Sequence, residues 1–237
     1  MKMKKLFAIC LVALSALISV HLQAQEVETL VLIDTDMGKI KVKLFNDTPQ
    51  HRDNFIKNVK EHRYDGLLFH RVIKQFMVQA GDINSKDAPM EQHLGDGDLD
   101  YTIPAEIVYP KYFHKRGMFA AARTGDDENP ERASSATQFY IVTGKVLYGN
   151  GARQDGEGTR HHLHPRNNDK PYMLEGGTPH LDGKYTIFGE VVSGMKAVDK
   201  IQFTENERRR PSCQEHQNQV NEDSQQINNK EWKQKKH

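Results

Sequence analysis

Alternating apolar and polar residues mark the first folded segment of the chain. Between Thr29 and Leu44, apolar side chains recur at every second position, as Leu30 and Leu32 before a turn around Asp36, Met37 and Gly38 and as Ile40, Val42 and Leu44 after it. Because successive side chains of a strand point to opposite faces, this period of two places the apolar residues on one face. The pattern predicts an antiparallel hairpin with one face buried.

Two segments have helical spacing instead. Thr48 and Pro49 precede an apolar pattern that runs to Gly66, and threonine with proline is a favourable helix start. This predicts a short amphipathic helix with Thr48 as its cap and Gly66 as its stop. A second helix is predicted from Ser193. Its apolar face comprises Met195, Val198 and Ile201. Two helices among many short strands favour a closed or sandwiched β architecture over βαβ units.

The stretch from Leu67 to Asp82, LLFHRVIKQFMVQAGD, carries Arg71 and Gln79 in a strongly apolar setting. A charged group removed from water is costly unless it finds partners, so an arginine in such a run suggests a functional site. An edge strand whose arginine extends its head to solvent explains the same pattern. The local sequence leaves both interpretations open.

Three later segments complete the apolar pattern. Gly117–Arg123 is small and apolar, which suits close approach of a ligand or tight packing inside a barrel. Thr137–Val142 is predicted to be a strand from its aromatic and β-branched residues. Leu181–Val191 is predicted to form a hairpin around a turn at Asp182 and Gly183.

Two polar segments raise the question of a metal site. Asn84–Tyr101 is predicted to be a long loop, and its acidic residues lack the spacing and terminal glutamate of a calcium loop. Gly144–Thr178 contains His161, His162 and His164, but no neighbouring cysteine or carboxylate completes a tetrahedral zinc set. We therefore predict solvated loops and no metal or other cofactor.

The chain begins with the pattern of a secretory signal peptide over residues 1–24. Lysines precede an apolar run, Leu6–Val20, that is shorter than the roughly 20 residues of a membrane span. We expect cleavage after Ala24 and export of a protein without a membrane anchor, to the periplasm if the source is Gram-negative. Cys10 leaves with the leader, so the remaining Cys213 has no partner for an internal disulfide.

Composition and net charge limit the domain organisation and the classes of partner. Of 237 residues, 37% are apolar, and the mean hydropathy of −0.74 is low for a folded domain. The polar tail, residues 204–237, is predicted to be disordered, which leaves residues 25–203 as one domain. A net charge of +1 gives no reason to expect a nucleic-acid partner.

The motifs FHRVIKQFMVQAGD, SSATQFYIV and LDGKYTIFGEV, in this order with the alanine run before the second, resemble the cyclophilin-type peptidyl-prolyl cis-trans isomerases. The resemblance covers Thr29–Phe203 and suggests an exported, bacterial-like member. It implies a mainly β fold, a closed eight-stranded antiparallel barrel capped by two α-helices. It also implies a monomer that acts on proline-containing peptides or unfolded proteins.

Carried over by position, the resemblance implies that Arg71 is the catalytic arginine and that Gln79 orients both the substrate and that arginine. The remaining matches imply substrate contacts. Phe76, Met77, Tyr140 and Leu181 match the proline pocket, Ala121, Ala122 and Arg123 match the backbone that holds the peptide, and Gln138, His180 and Tyr185 match further contacts. Arg71 would stabilise the twisted amide without a nucleophile or metal.

Several positions depart from the family pattern. Ala80 replaces a usual glycine, Tyr140 adds a hydroxyl to the pocket, and His180 replaces a tryptophan of cyclosporin-sensitive relatives, which argues against tight binding of that drug. Relatives also end in a strand after the second helix, but no alternating apolar run follows Phe203. The tail supplies a substitute strand, the barrel is open there, or the reading frame is altered beyond about Arg210.

Three functions are compatible with these patterns. The first is an exported isomerase of X–Pro bonds, and the second is a non-catalytic module or chaperone that binds proline-containing segments. The third is a metal-dependent hydrolase that uses the histidine cluster. Only the first two use all of the motifs, and we expect the isomerase.

Overall fold

The computed structural model of the protein describes residues 28–89, 91–146 and 171–204, together with the backbone at 153–154, 160–161 and 169–170. The strands are β1 (Thr29–Thr35), β2 (Gly38–Leu44), β3 (Arg71–Ile73), β4 (Met77–Ala80), β5 (Thr102–Ile103), β6 (Met118–Ala121), β7 (Ser134–Ser135), β8 (Phe139–Val142), β9 (Arg153–Gln154), β10 (Arg160–His161) and β11 (Ile187–Ser193). The α-helices are α1 (Pro49–Lys60), α2 (Asp169–Leu174) and α3 (Met195–Gln202). The 3₁₀ turns are Ile83–Ser85 and Pro179–Leu181.

Seven strands form one curled antiparallel sheet in the order β1-β2-β11-β6-β8-β4-β3. The prediction of a mainly β, cyclophilin-like fold is confirmed, but a closed eight-stranded barrel is not. Within the part of the chain that the structure describes, β1 and β3 each pair on one side only. The predicted closing strand would follow Phe203, and residues after Thr204 lie outside the described ranges. A third helix, α2, also exceeds the two that were expected.

The hairpin predicted at the start of the domain is confirmed. Strands β1 and β2 pair in antiparallel register, from Thr29 opposite Leu44 to Thr35 opposite Gly38. In β2 the predicted face is correct, since Ile40, Val42 and Leu44 are buried. In β1 it is wrong, because Leu30 and Leu32 are only half-buried while Val31 and Ile33 of the same apolar run face the core. Four consecutive apolar residues fit either face of a strand, so the pairing with β2 decides which face is buried.

The first predicted helix forms and begins at Pro49 as predicted, but it ends earlier than expected. Helix α1 stops at Lys60 rather than at Gly66, because His62 adopts a positive φ of 55° and the chain turns there. Gly66, at φ 78°, lies in the turn that leads to the next strand. A glycine after an apolar pattern thus marks the end of the turn rather than the end of the helix.

Thr48 is the N-cap residue of α1 and Pro49 its first residue, as predicted, but the threonine side chain does not make the capping bond. The Thr48 hydroxyl makes no capping bond and instead donates to the carbonyl of Phe45. The Glu106 carboxylate accepts hydrogen bonds from the backbone amides of Gln50 (3.1 Å) and His51 (3.0 Å). A carboxylate also interacts favourably with the positive end of the helix dipole, so a residue distant in sequence caps this helix.

Helix α3 closes one end of the sheet as predicted. It begins at Met195, after Gly194 at φ 98°, and its Val198 and Ile201 are fully buried. A Cβ at Gly194 would lie 2.2 Å from the carbonyl oxygen of Lys39, so only glycine allows this close approach. Among the described residues, none of the helices has the length and apolar character needed to cross a membrane.

Aromatic rings fill the space between α1 and the sheet. Phe55 contacts Phe119 and Phe139 edge to face, with ring centroids 5.2 and 5.4 Å apart, and Phe188 completes the cluster. All four rings are buried. Edge-to-face contacts of this kind contribute beyond area burial, so the cluster ties the helix to the central strands.

The hairpin predicted for Leu181–Val191 is wrong. Only the second half is a strand, β11, while Pro179–Leu181 forms a 3₁₀ turn. Gly183 does turn the chain, at φ 69°. The Asp182 side chain, however, accepts bonds from His114 rather than facing an opposite strand. This tertiary contact overrides the local hairpin pattern.

Candidate functional site

The β3–β4 hairpin places Arg71 directly opposite Gln79. The Arg71 guanidinium donates a hydrogen bond from Nη1 to Gln79 Oε1 at 3.4 Å. Strand β3 is an outer strand of the described sheet and Arg71 is exposed, as the edge-strand interpretation expected. The guanidinium nevertheless contributes to the wall of a pocket, so the two interpretations are compatible.

A chain of amide groups fixes the partner of that arginine. Gln138 Nε2 donates to the carbonyl oxygens of Gly95 (2.8 Å) and Gly97 (2.9 Å). Its Oε1 is therefore directed to Gln79, whose Nε2 donates to it at 2.9 Å. The amide of Gln79 is thereby oriented with its oxygen towards Arg71. An amide NH₂ only donates and an amide oxygen only accepts. The two glycine carbonyls therefore determine which group donates and which accepts in each hydrogen bond from Gln138 to Arg71.

Next to this chain lies a pocket of about 110 Å³. Its lining combines apolar walls with polar groups at one side. The lining residues are Arg71, Phe76, Met77, Gln79, Ala122, Arg123, Tyr140, Leu181 and Tyr185. Of the site residues predicted from sequence, the structure thus brings nine together around one cavity. Such a lining suits a small apolar ring as the ligand, held next to the Arg71 guanidinium.

Three predicted site residues lie outside the lining. Gln138 stands behind Gln79, and His180 stacks on Phe76 with ring centroids 5.5 Å apart. Ala121 is buried and its amide donates to the carbonyl of Thr186. Gln138 and Ala121 are buried and support the pocket from behind, whereas His180 is exposed and covers one side of Phe76.

Part of the backbone that was predicted to hold the peptide is already hydrogen-bonded within the protein. The amide of Ala122 donates to the Gln138 carbonyl, and its own carbonyl accepts from the Ser135 amide. Within the described residues, no backbone group bonds the amide or the carbonyl of Arg123. Arg123 is therefore the member of this segment whose backbone remains for a ligand.

The side chain of Arg123 is already engaged. Its guanidinium lies over the Tyr185 ring, 4.3 Å from the centroid, and Nε donates to the Lys184 carbonyl at 3.1 Å. Nη2 pairs with Asp126 at 2.6 Å, and only 3% of the side chain is exposed. Arg123 thus joins the end of β6 to the wall that Tyr185 supplies, by a cation–π contact and hydrogen bonds.

The extra hydroxyl of Tyr140 does not reach the pocket surface as a polar group. Tyr140 is 4% exposed, and its hydroxyl lies 2.9 Å from His114 Nε2. Burial raises the pKa of Tyr140 well above its ordinary value of 10 and lowers the pKa of His114 below 6.5. Both side chains are therefore neutral near pH 7, and the pocket receives the ring face of Tyr140.

Sequence reasoning missed the residues that hold the site from behind. Gly95 and Gly97 belong to a stretch interpreted only as a polar loop, although their carbonyls hold Gln138. His114 is fully buried yet stands in a segment without apolar periodicity. No local pattern distinguishes these residues, because their roles come from contacts between distant segments.

No metal centre accompanies the pocket in the described part of the chain. There, no group of three or more His, Cys, Asp or Glu side chains is arranged to hold a metal ion. The side chains of His161, His162 and His164 lie outside the described residues, so the histidine cluster remains a sequence observation.

Solved structures with the same architecture identify the class of fold. A Cryptosporidium parvum cyclophilin-type isomerase superimposes with a TM-score of 0.54 at 20% identity, covering 79% of this chain and 95% of its own. A crystal structure of that protein in the presence of the dipeptide Ala-Pro gives 0.50 at 19% identity, covering 78% and 98%. At these identities the likeness establishes a cyclophilin-like fold.

Sequence comparisons identify the family. The profile described as cyclophilin type peptidyl-prolyl cis-trans isomerase/CLD matches residues 30–222. Proteins assigned as peptidyl-prolyl cis-trans isomerases in Staphylococcus aureus strain USA300 and in Staphylococcus epidermidis are each 32% identical over 184 residues, covering 77% of this chain and 85% of theirs. The chain belongs to the cyclophilin-type peptidyl-prolyl cis-trans isomerase family and is an enzyme of that type.

Proposed function

We propose that this enzyme accelerates rotation about X–Pro bonds in extended segments of exported proteins, with Arg71 stabilising the twisted amide. One observation carries the proposal: an arginine oriented by a directed amide chain stands at the wall of a small apolar pocket. No covalent step is needed, since the reaction only rotates an existing bond.

The barrier to this rotation gives the arginine its task. Amide resonance makes rotation cost about 18–20 kcal/mol, and the twisted transition state loses that resonance. Its proline nitrogen becomes pyramidal and gains a lone pair that the planar ground state lacks. A donor placed at that nitrogen stabilises the transition state more than the substrate, which is the condition for faster turnover.

Arg71 suits this role because its orientation is set before a substrate arrives. Gln79 accepts one of its N–H groups, and Gln138 fixes Gln79 in turn. The guanidinium keeps its charge at any working pH and retains further N–H donors for a ligand. A lysine carries a single ammonium group without this planar fork, so we expect it to substitute poorly.

The pocket supports proline as the residue that is held. Phe76, Met77, Leu181 and the ring of Tyr140 offer apolar walls, and the backbone of Arg123 is available for the peptide on one side. While the ring is held, the segment on the other side of the bond can rotate. The Ala-Pro dipeptide present with the Cryptosporidium parvum protein is consistent with this class of ligand.

The export part of the proposal comes from the first residues of the chain. It rests on the lysine-led apolar pattern of residues 1–24, which lie outside the described residues. We propose cleavage after Ala24, so that the enzyme meets unfolded chains in the compartment that it enters. N-terminal sequencing of the protein recovered from fractionated cells tests this; a protein that retains Met1 in the cytoplasm contradicts export.

An isomerase assay tests the activity. The cis-to-trans rate of an Ala-Pro tetrapeptide, measured by protease coupling, should rise in proportion to enzyme concentration. Binding of the same peptide should be measured by NMR titration. Binding without acceleration would contradict catalysis and support a proline-binding module, whereas neither binding nor acceleration would contradict the site itself.

A further inference from the structure

The contact between Tyr140 and His114 is part of a longer chain of buried polar groups behind the proline pocket. The Tyr140 hydroxyl lies 2.9 Å from His114 Nε2, and His114 Nδ1 lies 3.1 Å from Asp182 Oδ1. The other oxygen of Asp182 accepts the hydroxyl of Tyr172 at 2.7 Å. Three of these residues, Tyr140, His114 and Tyr172, are almost wholly buried.

The direction of each hydrogen bond follows from Asp182. A carboxylate only accepts, so His114 carries its proton on Nδ1, and the backbone amide of His114 donates to the same oxygen at 2.8 Å. Nε2 of the neutral ring is then an acceptor, and the Tyr140 hydroxyl donates to it. The hydroxyl proton therefore points away from the pocket, which leaves the ring of Tyr140 as an apolar wall.

The same chain connects two walls of the pocket. Asp182 directly follows Leu181, a lining residue that ends the 3₁₀ turn Pro179–Leu181, while the lining residue Tyr140 belongs to β8 within the sheet. His114 bonds both residues. A displacement of the Leu181 loop away from β8 would therefore break hydrogen bonds to buried polar groups, at a cost of about 1–3 kcal/mol for each group left unsatisfied.

Helix α2 fixes the far end of the chain. Tyr172 is 2% exposed, and a Cβ at Gly177 would lie 2.5 Å from its ring and 2.3 Å from the His114 carbonyl oxygen. The amide of Thr178 also donates to that carbonyl, at 2.8 Å. The end of the long segment from Gly144 to Thr178 is thus packed behind the pocket and held to His114.

We propose that His114 is a positioning residue of the proline pocket, which, with Asp182 and Tyr172, sets the distance between the walls formed by Tyr140 and Leu181. The inference rests on the proposed function, since it concerns the affinity of the same pocket for proline. His114 does not touch the substrate. Its loss should weaken ground-state and transition-state binding equally, because the chain from Gln138 to Arg71 stays intact.

Coupling between two substitutions tests this role. His114→Leu removes the acceptor and leaves the Tyr140 hydroxyl unsatisfied, so KM for an Ala-Pro peptide should rise about five-fold or more with kcat within about two-fold of wild type. Adding Tyr140→Phe removes the unsatisfied hydroxyl. Because the link to Asp182 is still missing, the double variant should regain stability, a non-additivity expected of contacting residues, but should keep the raised KM; a KM that returns to the wild-type value would overturn the positioning role.

Two milder variants cover the case in which His114→Leu does not fold. His114→Gln keeps an acceptor for Tyr140 and should lose less affinity than the leucine variant. Tyr172→Phe keeps its ring and removes only the bond to Asp182, and it should raise KM about three-fold. Tyr101→Phe is the matched control, because its hydroxyl bonds Asn54 away from the pocket, and its KM should equal that of wild type.

A spectroscopic measurement on the wild-type protein tests the hydrogen-bond direction independently of activity. Imidazole ¹⁵N shifts of His114 at neutral pH should show Nδ1 protonated and Nε2 unprotonated, and Tyr140→Phe should shift the Nε2 signal. The opposite tautomer, or unchanged KM in folded His114 and Tyr172 variants, would overturn the inference. An inactive wild-type protein with the expected ¹⁵N shifts would instead contradict the proposed function alone.

Discussion

Polar side chains near the pocket owe their positions to partners far away in sequence. Arg71 meets Gln79 through a short hairpin, so local pairing explains that contact. Gln138, however, lies 59 positions beyond Gln79, and the carbonyls that orient it belong to a third segment. Sequence patterns could therefore single out Arg71 in its apolar run, whereas the groups that orient it become visible only in the folded chain.

A substitution of Gln138 tests whether this residue orients Gln79 and, through it, Arg71. Gln138→Met keeps the volume of the side chain but removes its bonds to Gln79 and to the two glycine carbonyls. Gln79 can then turn, and Arg71 loses its fixed acceptor, so kcat should fall about ten-fold. The comparison is Gln92→Met, a half-buried glutamine whose side chain donates to the Asn84 carbonyl, outside the pocket lining. Equal kcat for the two variants in the coupled assay would contradict the orienting role.

Buried histidines predict how stability depends on pH. Burial lowers the pKa of His51 below its ordinary 6.5, so the folded protein takes up a proton less readily than the unfolded chain. Above pH 6.5 both states are neutral there. As pH falls below 6.5, only the unfolded chain gains the proton, and the free energy of unfolding should drop, by at most about 1.4 kcal/mol per histidine at pH 5.5.

Urea unfolding at pH 7.5 and 5.5 measures this dependence. The His51→Gln variant should be less stable overall but should lose less stability between the two pH values than the wild type does. Glu106, whose pKa is lowered through its hydrogen bonds to His51 despite partial burial, contributes stability that is lost only below its ordinary 4.5, so this range isolates the histidine. An identical loss in both proteins would rule out His51 as the source.

At the scale of elements, patterns with a buried face were the reliable ones. Strand β2 and helix α3 follow directly from their apolar periods, because one face of each packs on the core, whereas the continuous apolar run of β1 does not specify which of its faces is buried. The failures occur where a distant residue replaces a local partner. Asp182 bonds His114 instead of joining a hairpin, and Glu106 takes the place of Thr48 at the start of α1.

A substitution at Gly97 tests whether the loop that contains this glycine holds Gln138 in place. Gly97 needs no positive φ, but an added Cβ would lie 2.0 Å from Asp82 Oδ1, so the loop must move in Gly97→Ala. We expect a loss of about 1–3 kcal/mol in stability and lower activity, because the Gly97 carbonyl is displaced from Gln138. Gly125→Ala, with nothing within 4 Å of its Cβ, should change neither unfolding nor turnover. Equal stability and equal turnover of the two variants would show that the loop accommodates the added methyl group without loss of stability.

Considered as a whole, the molecule gathers its site from four separated parts of the chain. The pocket takes residues from the β3–β4 hairpin, the end of β6, strand β8 and the loop before β11. No single segment predicts a cavity, and the order of the family motifs was needed to connect them. Closure of the barrel could not be predicted, because the tail lacks the alternating apolar residues from which a strand is recognised.

Hydrogen exchange measures the consequence of the sheet order. Strands β6 and β8 have ladder partners on both sides, whereas the described part of the chain supplies β1 and β3 with one partner each. Amides of β3 should therefore exchange faster than those of β8. Comparison with a chain truncated after Thr204 extends the test. Protection of β1 and β3 equal to that of β8, lost on truncation, would show that the tail closes the barrel.

The central claim is that Arg71, held by Gln79, lowers the barrier to X–Pro rotation. The most direct measurement compares cis–trans exchange of one Ala-Pro peptide on the wild-type enzyme, Arg71→Ala and Arg71→Lys by NMR exchange spectroscopy, with circular dichroism to verify the fold. We predict that the alanine variant loses at least about ten-fold in rate, that lysine recovers little of it, and that both still bind the peptide. Wild-type exchange rates in a folded Arg71→Ala protein would contradict the account.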